Sequence, residues 1–169
     1  SANTFFNENH LQGAPSSSVF LGLYYENNLI SCMSFGVARS IRRNTDKHLW
    51  ELQRYASTCT VVGGAGKLLS KFISLNLAHS IISYSDTRLF SGAMYEKLGF
   101  ILVHETRPDY CYVSHSLSDG RMHKSKFQRK HLARKLSVFD PAKSESQNCF
   151  DNGWYQLFDC GKKKWVLNI

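Results

Sequence analysis

Three glycines in four positions, Gly63-Gly64-Ala65-Gly66, constrain this chain more than any other feature. They stand after a β-rich segment and before Leu68, Leu69, Phe72, Ile73 and Leu77, whose spacing is that of one helix face. Without Cβ atoms, consecutive glycines let main-chain N–H groups approach an anion at the positive end of a helix dipole. A tight strand-to-helix turn needs glycine as well, so both readings stand on the cluster alone.

The surrounding segments give the cluster a context. Residues 19–25 and 29–35 are apolar, β-rich runs separated by Glu26-Asn27-Asn28, the composition of a hairpin. Residues 39–47 are basic and polar and read as an exposed loop, and residues 48–56 read as the next strand. After the glycine-opened helix, residues 80–85 form a short apolar strand. Residues 92–98 form a short helix with Gly99 as its left-handed cap, and residues 101–105 and 110–115 form two more strands. The order β, β, β, helix, β, helix, β, β predicts an α/β (α+β) mixed sheet with parallel strands flanking the glycine-opened helix. Function is then expected at the carboxyl ends of those strands.

The two ends read differently. The first seventeen residues are polar and turn-rich and read as an arm. Residues 124–136 read as one basic helix with Phe127, Leu132 and Leu136 on a narrow apolar edge. Ser144-Glu145-Ser146-Gln147 has capping-box spacing, with Gly153 ending that helix, and residues 154–159 and 163–167 read as a terminal hairpin. The expected organisation is an arm over 1–17, a core over 18–115 and a basic extension over 116–169.

Charge distribution narrows the partners. Residues 121–135 carry seven Lys/Arg and no Asp/Glu, whereas 1–120 carry ten against nine and 136–169 four against four. Nearly all of the net +8 therefore sits in fifteen residues. Arg121, Lys124, Lys126, Arg129, Lys130, Arg134 and Lys135 suit a polyanion, of which double-stranded DNA is the expected one; a solvated helix face is the plainer alternative. His10 and Gln12 in the arm could reach a base edge or phosphate. Five cysteines with no CxxC pair argue against a disulfide framework or zinc knuckle. The histidines show no HExxH spacing, so no metal is expected. No apolar run is long enough to span a bilayer and the start lacks signal-peptide features, so a cytoplasmic protein is expected.

The glycine loop with Lys67-Leu68-Leu69, and the later Tyr95-Glu96-Lys97-Leu98-Gly99-Phe100, resemble GNAT acetyltransferases, whose loop reads Arg/Gln-x-x-Gly-x-Gly/Ala. Gly63 and Ala65 match its last two positions, and Thr60 stands where Arg or Gln is usual. The resemblance implies the GNAT fold, an acetyl-CoA or related acyl-CoA donor, and a donor site over Thr60, Gly63, Gly64, Ala65, Gly66 and Lys67. A finer pattern comprises residues 9–13, Glu51-Leu52-Gln53-Arg54, Ser83-Tyr84-Ser85-Asp86, Gly153-Trp154-Tyr155 and Asp159-Cys160-Gly161. It is similar to a group of bacteriophage proteins that includes C-terminal regions of homing endonucleases, and distantly to the Mom DNA-modification proteins. That likeness implies acyl-type transfer to a DNA base, in the cytoplasm of an infected cell, with Arg54, Asp86 and Tyr95 as the catalytic set.

On that implication Tyr95 protonates a departing thiolate, Asp86 accepts the amine proton and Arg54 stabilises an oxyanion or binds phosphate. Each has a structural alternative: Tyr95 as a core aromatic, Asp86 as a cap and Arg54 as a paired charge. No GIY-YIG pair, LAGLIDADG helix or ββα-metal pattern is present, so cleavage is not expected of this chain. Two other readings stay open: a non-catalytic DNA-targeting domain of a homing endonuclease, and a conventional N-acetyltransferase for a small amine or protein.

Overall fold

In the computed structural model, which describes residues 1–38, 48–116 and 120–169, the two apolar runs flanking Glu26 and Asn27 fold as a hairpin of β1 (Val19–Tyr25) and β2 (Asn28–Val37). Glu26 and Asn27 both take positive φ, 47° and 65°, as a twist-matched two-residue hairpin turn requires. The loop expected over 39–47 lies outside the described residues. β3 (Leu49–Ser57) pairs antiparallel with β2, and the register slips between Ser34/Phe35, where Ser34 faces Arg54 and Phe35 faces Leu52. Gln53 is therefore the extra residue of a β-bulge, which bends the strand.

The chain then crosses through α2 (Gly64–Ile73) to β4 (Ser80–Asp86), parallel to β3. Leu68, Leu69 and Phe72 bury the helix face predicted from their spacing, with the Phe72 ring stacked 3.7 Å from Phe35 and edge-on to Trp50 at 5.3 Å. Burying a side chain the size of Phe72 contributes about 1.5–3 kcal/mol, which fixes the helix on the sheet far more firmly than helix propensity would. After α3 (Ala93–Lys97) and β5 (Ile101–Glu105) the chain departs, returning as the last strand, β9 (Lys162–Asn168). The six-stranded sheet runs β1-β2-β3-β4-β9-β5, so the C-terminal strand is inserted between β4 and β5.

Residues 1–105 with 163–169 form one compact unit, and residues 106–162 form a second. Within the first, successive residues of β2 feed opposite faces. Met33 and Phe35 join the core under α2, while Cys32 joins Phe5, Phe6 and Ala56 on the other side. The supposed arm is thus partly α1 (Ala2–Asn9), opened by Ser1, whose Oγ accepts the amide of Thr4 at 3.3 Å. Its polar composition hid two phenylalanines whose burial on the sheet drives the helix; tertiary packing overrides a weak local signal.

The second unit has its own sheet, β7-β6-β8, of β6 (Tyr110–Ser114), β7 (Arg121–His123) and β8 (Trp154–Phe158). Its core gathers Tyr112, Phe127, Leu132, Leu136 and Cys149. Two expectations are corrected here. The basic segment is not one helix: a 3-10 turn (Lys124–Phe127) is separated from α4 (Arg129–Lys135) by Gln128, whose ψ of 137° is extended. The terminal hairpin does not form, because β8 pairs with β6 and β9 pairs with β5. Adjacent β-patterned runs across Cys160-Gly161 look like a hairpin locally, yet Trp165 on β9 is claimed by the first core, where it is 1% exposed. α5 (Glu145–Asp151) begins as its capping sequence predicts, with Ser144 Oγ accepting from the Gln147 amide at 3.2 Å. Among the described residues no helix is long and apolar enough to cross a membrane.

Candidate functional site

Parallel β3 and β4 pair only over Leu49–Glu51 and Ser80–Ile82. Past that point the Gln53 bulge turns β3 away, and side-chain chemistry takes the place of the ladder. Ser83 Oγ is 2.8 Å from the carbonyl oxygen of Leu52 on β3 and 2.9 Å from the hydroxyl of Tyr95 on α3. Ser83 has one hydroxyl proton and serves one of these acceptors at a time. When it donates to Leu52, the Tyr95 proton can be given to Ser83 Oγ; when it donates to Tyr95, the phenol proton points elsewhere. Tyr95 is thereby held at the parting of the strands with a proton that has two resting places.

Its ring is fixed from both sides. It stacks on Trp165 at 5.4 Å and 13° and meets Phe100 edge-on at 5.5 Å, while Trp165 Nε1 donates to Ser85 Oγ at 2.9 Å. Burial raises the Tyr95 pKa; the Ser83 hydrogen bond and the Arg54 charge act against it, and the Glu51 charge adds to it. Tyr95 accordingly stays protonated at neutral pH.

Arg54 sits past the bulge on β3, with its guanidinium donating to the Gln53 carbonyl at 2.7 Å and its Nε buried without a hydrogen-bond partner. Burial lowers its pKa, against the opposing influence of Glu51 and Tyr95. Glu51 is the acidic group whose charge acts on it most directly. His10, at the end of α1, is linked to the same group: burial, then the Arg54 charge, lowers its pKa, and its Nδ1 accepts the Gln12 amide at 3.1 Å. The imidazole is therefore neutral at pH 7 with its proton on Nε2. Gln12 itself is exposed.

Asp86 ends β4 as a turn cap. Its Oδ1 accepts the Arg88 amide at 2.9 Å, and its Oδ2 is 3.9 Å from the Arg88 guanidinium. The structure thus brings Arg54 and Tyr95 into one electrostatic group and gives Asp86 a local bonding role.

The glycine loop opens α2 as expected. Gly63 is left-handed at φ 68°, with nothing within 4 Å of where a Cβ would stand. The amide of Gly64 donates to Val61 and that of Lys67 to Gly63, so among the described residues those of Ala65 and Gly66 keep no backbone acceptor at the start of the helix. Thr60 and Lys67 are exposed beside them. Gly66 lies against Leu98, with 3.7 Å between the Leu98 Cδ2 and the place of a Cβ, which sets the loop next to the helix that carries Tyr95. Ser83, Trp165 and Glu51 were not singled out from sequence for these positions. The serines of an otherwise apolar strand, Ser83 and Ser85, were the available signal.

The predicted nucleic-acid residues are divided in role. Lys124 is ion-paired to Asp109 and lies over the Tyr110 ring at 5.3 Å; Lys135 lies over Phe127 at 3.6 Å; Arg129 donates to the Pro141 carbonyl. Arg121, Lys126, Lys130 and Arg134 are exposed and form no ion pair among the described residues. Groups of His, Cys, Asp or Glu fit to hold a metal are absent among the described residues.

No protein-family model matches the sequence, and no curated protein matches it. Among solved structures, a Mycobacterium tuberculosis protein in complex with CoA and NLQ is similar at TM-score 0.45 and 13% identity, over 89% of this chain and 75% of that one. A Bacillus subtilis acetyltransferase in complex with CoA is similar at TM-score 0.52 and 11% identity, over 99% of this chain and 93% of that one. A six-stranded mixed sheet with a glycine-opened helix between parallel strands, together with that likeness, gives the chain the GNAT acetyltransferase fold.

Proposed function

We propose that the chain is an acyl-CoA-dependent N-acyltransferase whose acceptor is an exocyclic amine of a DNA base, in the manner of the Mom-like modification proteins. One observation carries the transferase reading: a tyrosine hydroxyl held by Ser83 where β3 and β4 part, on a helix that adjoins the open glycine start of α2. The loop fits the diphosphate of an acyl-CoA, since Ala65 and Gly66 offer two amides, Gly63 leaves the approach open, and Thr60 and Lys67 flank it. A bound acyl-CoA would supply the acyl group as a thioester and leave as a thiolate.

Tyr95, protonated and oriented, gives up its phenol proton to that leaving group and is reprotonated through Ser83 or solvent. Arg54, buried with an unused Nε, stabilises negative charge developing nearby. Asp86 takes the amine proton through the oxygen that does not cap the turn. An exocyclic base amine is a weak nucleophile, so the base is flipped out of the helix and desolvated before attack.

The DNA part of the proposal draws on the second unit, where Arg121, Lys126, Lys130 and Arg134 are exposed and form no ion pair among the described residues. They suit phosphate contacts on duplex DNA. On this reading the chain is a phage-type module working in the cytoplasm of an infected cell. It would act alone or as the DNA-targeting region of a homing endonuclease.

Calorimetric titration with acetyl-CoA and mass spectrometry of nucleosides from DNA of expressing cells test it together. Acyl-CoA binding and an acylated nucleoside are expected, and Tyr95→Phe lowers the transfer rate by about 10²–10⁴-fold while CoA binding persists. Binding without any modified nucleoside, together with transfer to small amines, would replace DNA by a conventional acceptor. No acyl-CoA binding at all would sink the transferase reading.

A further inference from the structure

The three-stranded sheet of the second unit buries only one of its faces. Tyr110 and Tyr112 on β6, Met122 on β7 and Trp154 on β8 line its core. Because side chains alternate along a strand, the intervening residues occupy the other face. The register sets them in two rows: Arg121, Val113 and Tyr155, then His123, Cys111 and Leu157.

Neither row contains a carboxylate. Arg121, His123, Tyr155 and Leu157 are exposed, the last two at 39% and 42%. His115, exposed at the end of β6, places its ring 6.5 Å from that of Tyr155, and Phe150 of α5 bounds Tyr155 on another side at 5.6 Å, ring perpendicular.

An aromatic and aliphatic surface bordered by an arginine and imidazole rings is the chemistry of single-stranded nucleic-acid platforms. Strands about 4.8 Å apart put the Arg121 and Tyr155 columns roughly 10 Å apart, and the long Arg121 side chain shortens that gap. An apolar partner would leave the Arg121 guanidinium without an acceptor, and an acidic peptide would leave Tyr155 and Leu157 without a planar partner. A nucleotide strand offers both a π-face and a phosphate at each step.

We infer that this open sheet face is a stacking platform for unpaired DNA, with a base lying on Tyr155 against Leu157 and the backbone passing by Arg121 and His123. The inference rests on the DNA reading above and deepens it. The second unit holds a strand once its bases are exposed, a task separate from gripping duplex phosphates.

Fluorescence anisotropy with a short labelled mixed-sequence oligodeoxynucleotide, its duplex and the matching RNA tests the inference on the full chain. Tyr155→Ala weakens single-strand binding about 5- to 100-fold and leaves duplex binding within about twofold, whereas Tyr155→Phe keeps the single-strand affinity. Leu157→Ser, a milder change at an exposed position, moves the same way. Unchanged single-strand affinity in both variants overturns the inference but not the DNA reading. So does an equal loss for strand and duplex, a preference for RNA, or an effect confined to self-association in light scattering. A wild-type chain that binds no DNA overturns both.

Discussion

Replacing Gly92 by alanine tests whether the site's aromatic stack is as rigid as its geometry implies. Gly92 precedes α3 at φ 97°, and a Cβ built there overlaps the Trp165 indole, lying 2.9 Å from its Cη2 and closer still to Cζ2. Trp165 is 1% exposed, stacked on Tyr95 and tied to Ser85, so it has no free direction in which to move. Two costs add. Holding a non-glycine residue at positive φ costs about 1–2 kcal/mol, and overpacking a filled core costs about 1–3 kcal/mol more. Gly99 supplies the control: at φ 85° it bears the same backbone cost, but the nearest atom to its Cβ is 3.8 Å away. With about 2–4 °C of Tm per kcal/mol in a chain of this length, Gly99→Ala lowers Tm by roughly 2–8 °C and Gly92→Ala by roughly 4–20 °C. Thermal melts followed by near-ultraviolet circular dichroism read both the Tm and the Trp165 environment. Equal losses in the two variants, with an unchanged tryptophan signal, would refute the claim that Trp165 is locked against α3.

Two predictions concern titration. Tyr112, fully buried in the second core, has its pKa raised chiefly by burial, so its folded value lies above the unfolded value of about 10. The unfolded chain then binds fewer protons than the native one above pH 10, and stability falls as pH rises from there; Tyr112→Phe flattens that alkaline decline in urea unfolding series, and an unchanged decline would refute the assignment. His10 has the opposite sense: its pKa lies below the usual 6.5, so its contribution is complete above that value and fades as pH falls through the folded pKa. If Arg54 is the neighbouring charge, Arg54→Met raises the His10 pKa in an NMR titration, and an unmoved midpoint would separate α1 from the site.

The sheet and its crossing helix were legible because each was encoded locally: alternation for β1 and β2, the Leu68-Leu69-Phe72 spacing for α2, and the glycine cluster for the turn between strand and helix. Of the candidate site, only some members stand out in the sequence. Arg54 and Tyr95 could be named from their motifs, but the group that positions Tyr95 could not, because Ser83 earns its role only when the Gln53 bulge parts β3 from β4. A bulge is a register property of two strands and leaves no mark in either strand alone. α1 was missed for a similar reason, since Phe5 and Phe6 read as strays in a polar arm until the sheet beneath them is assembled. Adjacent β-patterned runs at the C-terminus suggest a hairpin by their closeness in sequence, yet β9 pairs with β5 some sixty residues back, at Ile101 to Glu105.

That long-range pairing explains how a GNAT sheet can carry a second unit. Glu105 and Lys163, the residues on either side of residues 106–162, are register partners in β5 and β9, so the chain leaves and returns at one place in the sheet. At the base of the second unit the strands are tied again: the Thr106 amide donates to the Lys162 carbonyl at 2.8 Å, and the Lys162 amide to Thr106 Oγ1 at 2.9 Å. To the sheet, the whole second unit is one long β5–β9 loop whose ends are already held together. Loop-closure cost grows only logarithmically with length, so a unit that supplies its own core in Tyr112, Phe127 and Leu132 adds little strain to its host. The division follows the chemistry as well. Tyr95, Ser83, Arg54 and the glycine loop all lie in the first unit, whereas Arg121, Lys126, Lys130 and Arg134 lie in the second. On the proposed function, the groups assigned to acyl transfer and those assigned to phosphate contacts therefore belong to separate units of the chain.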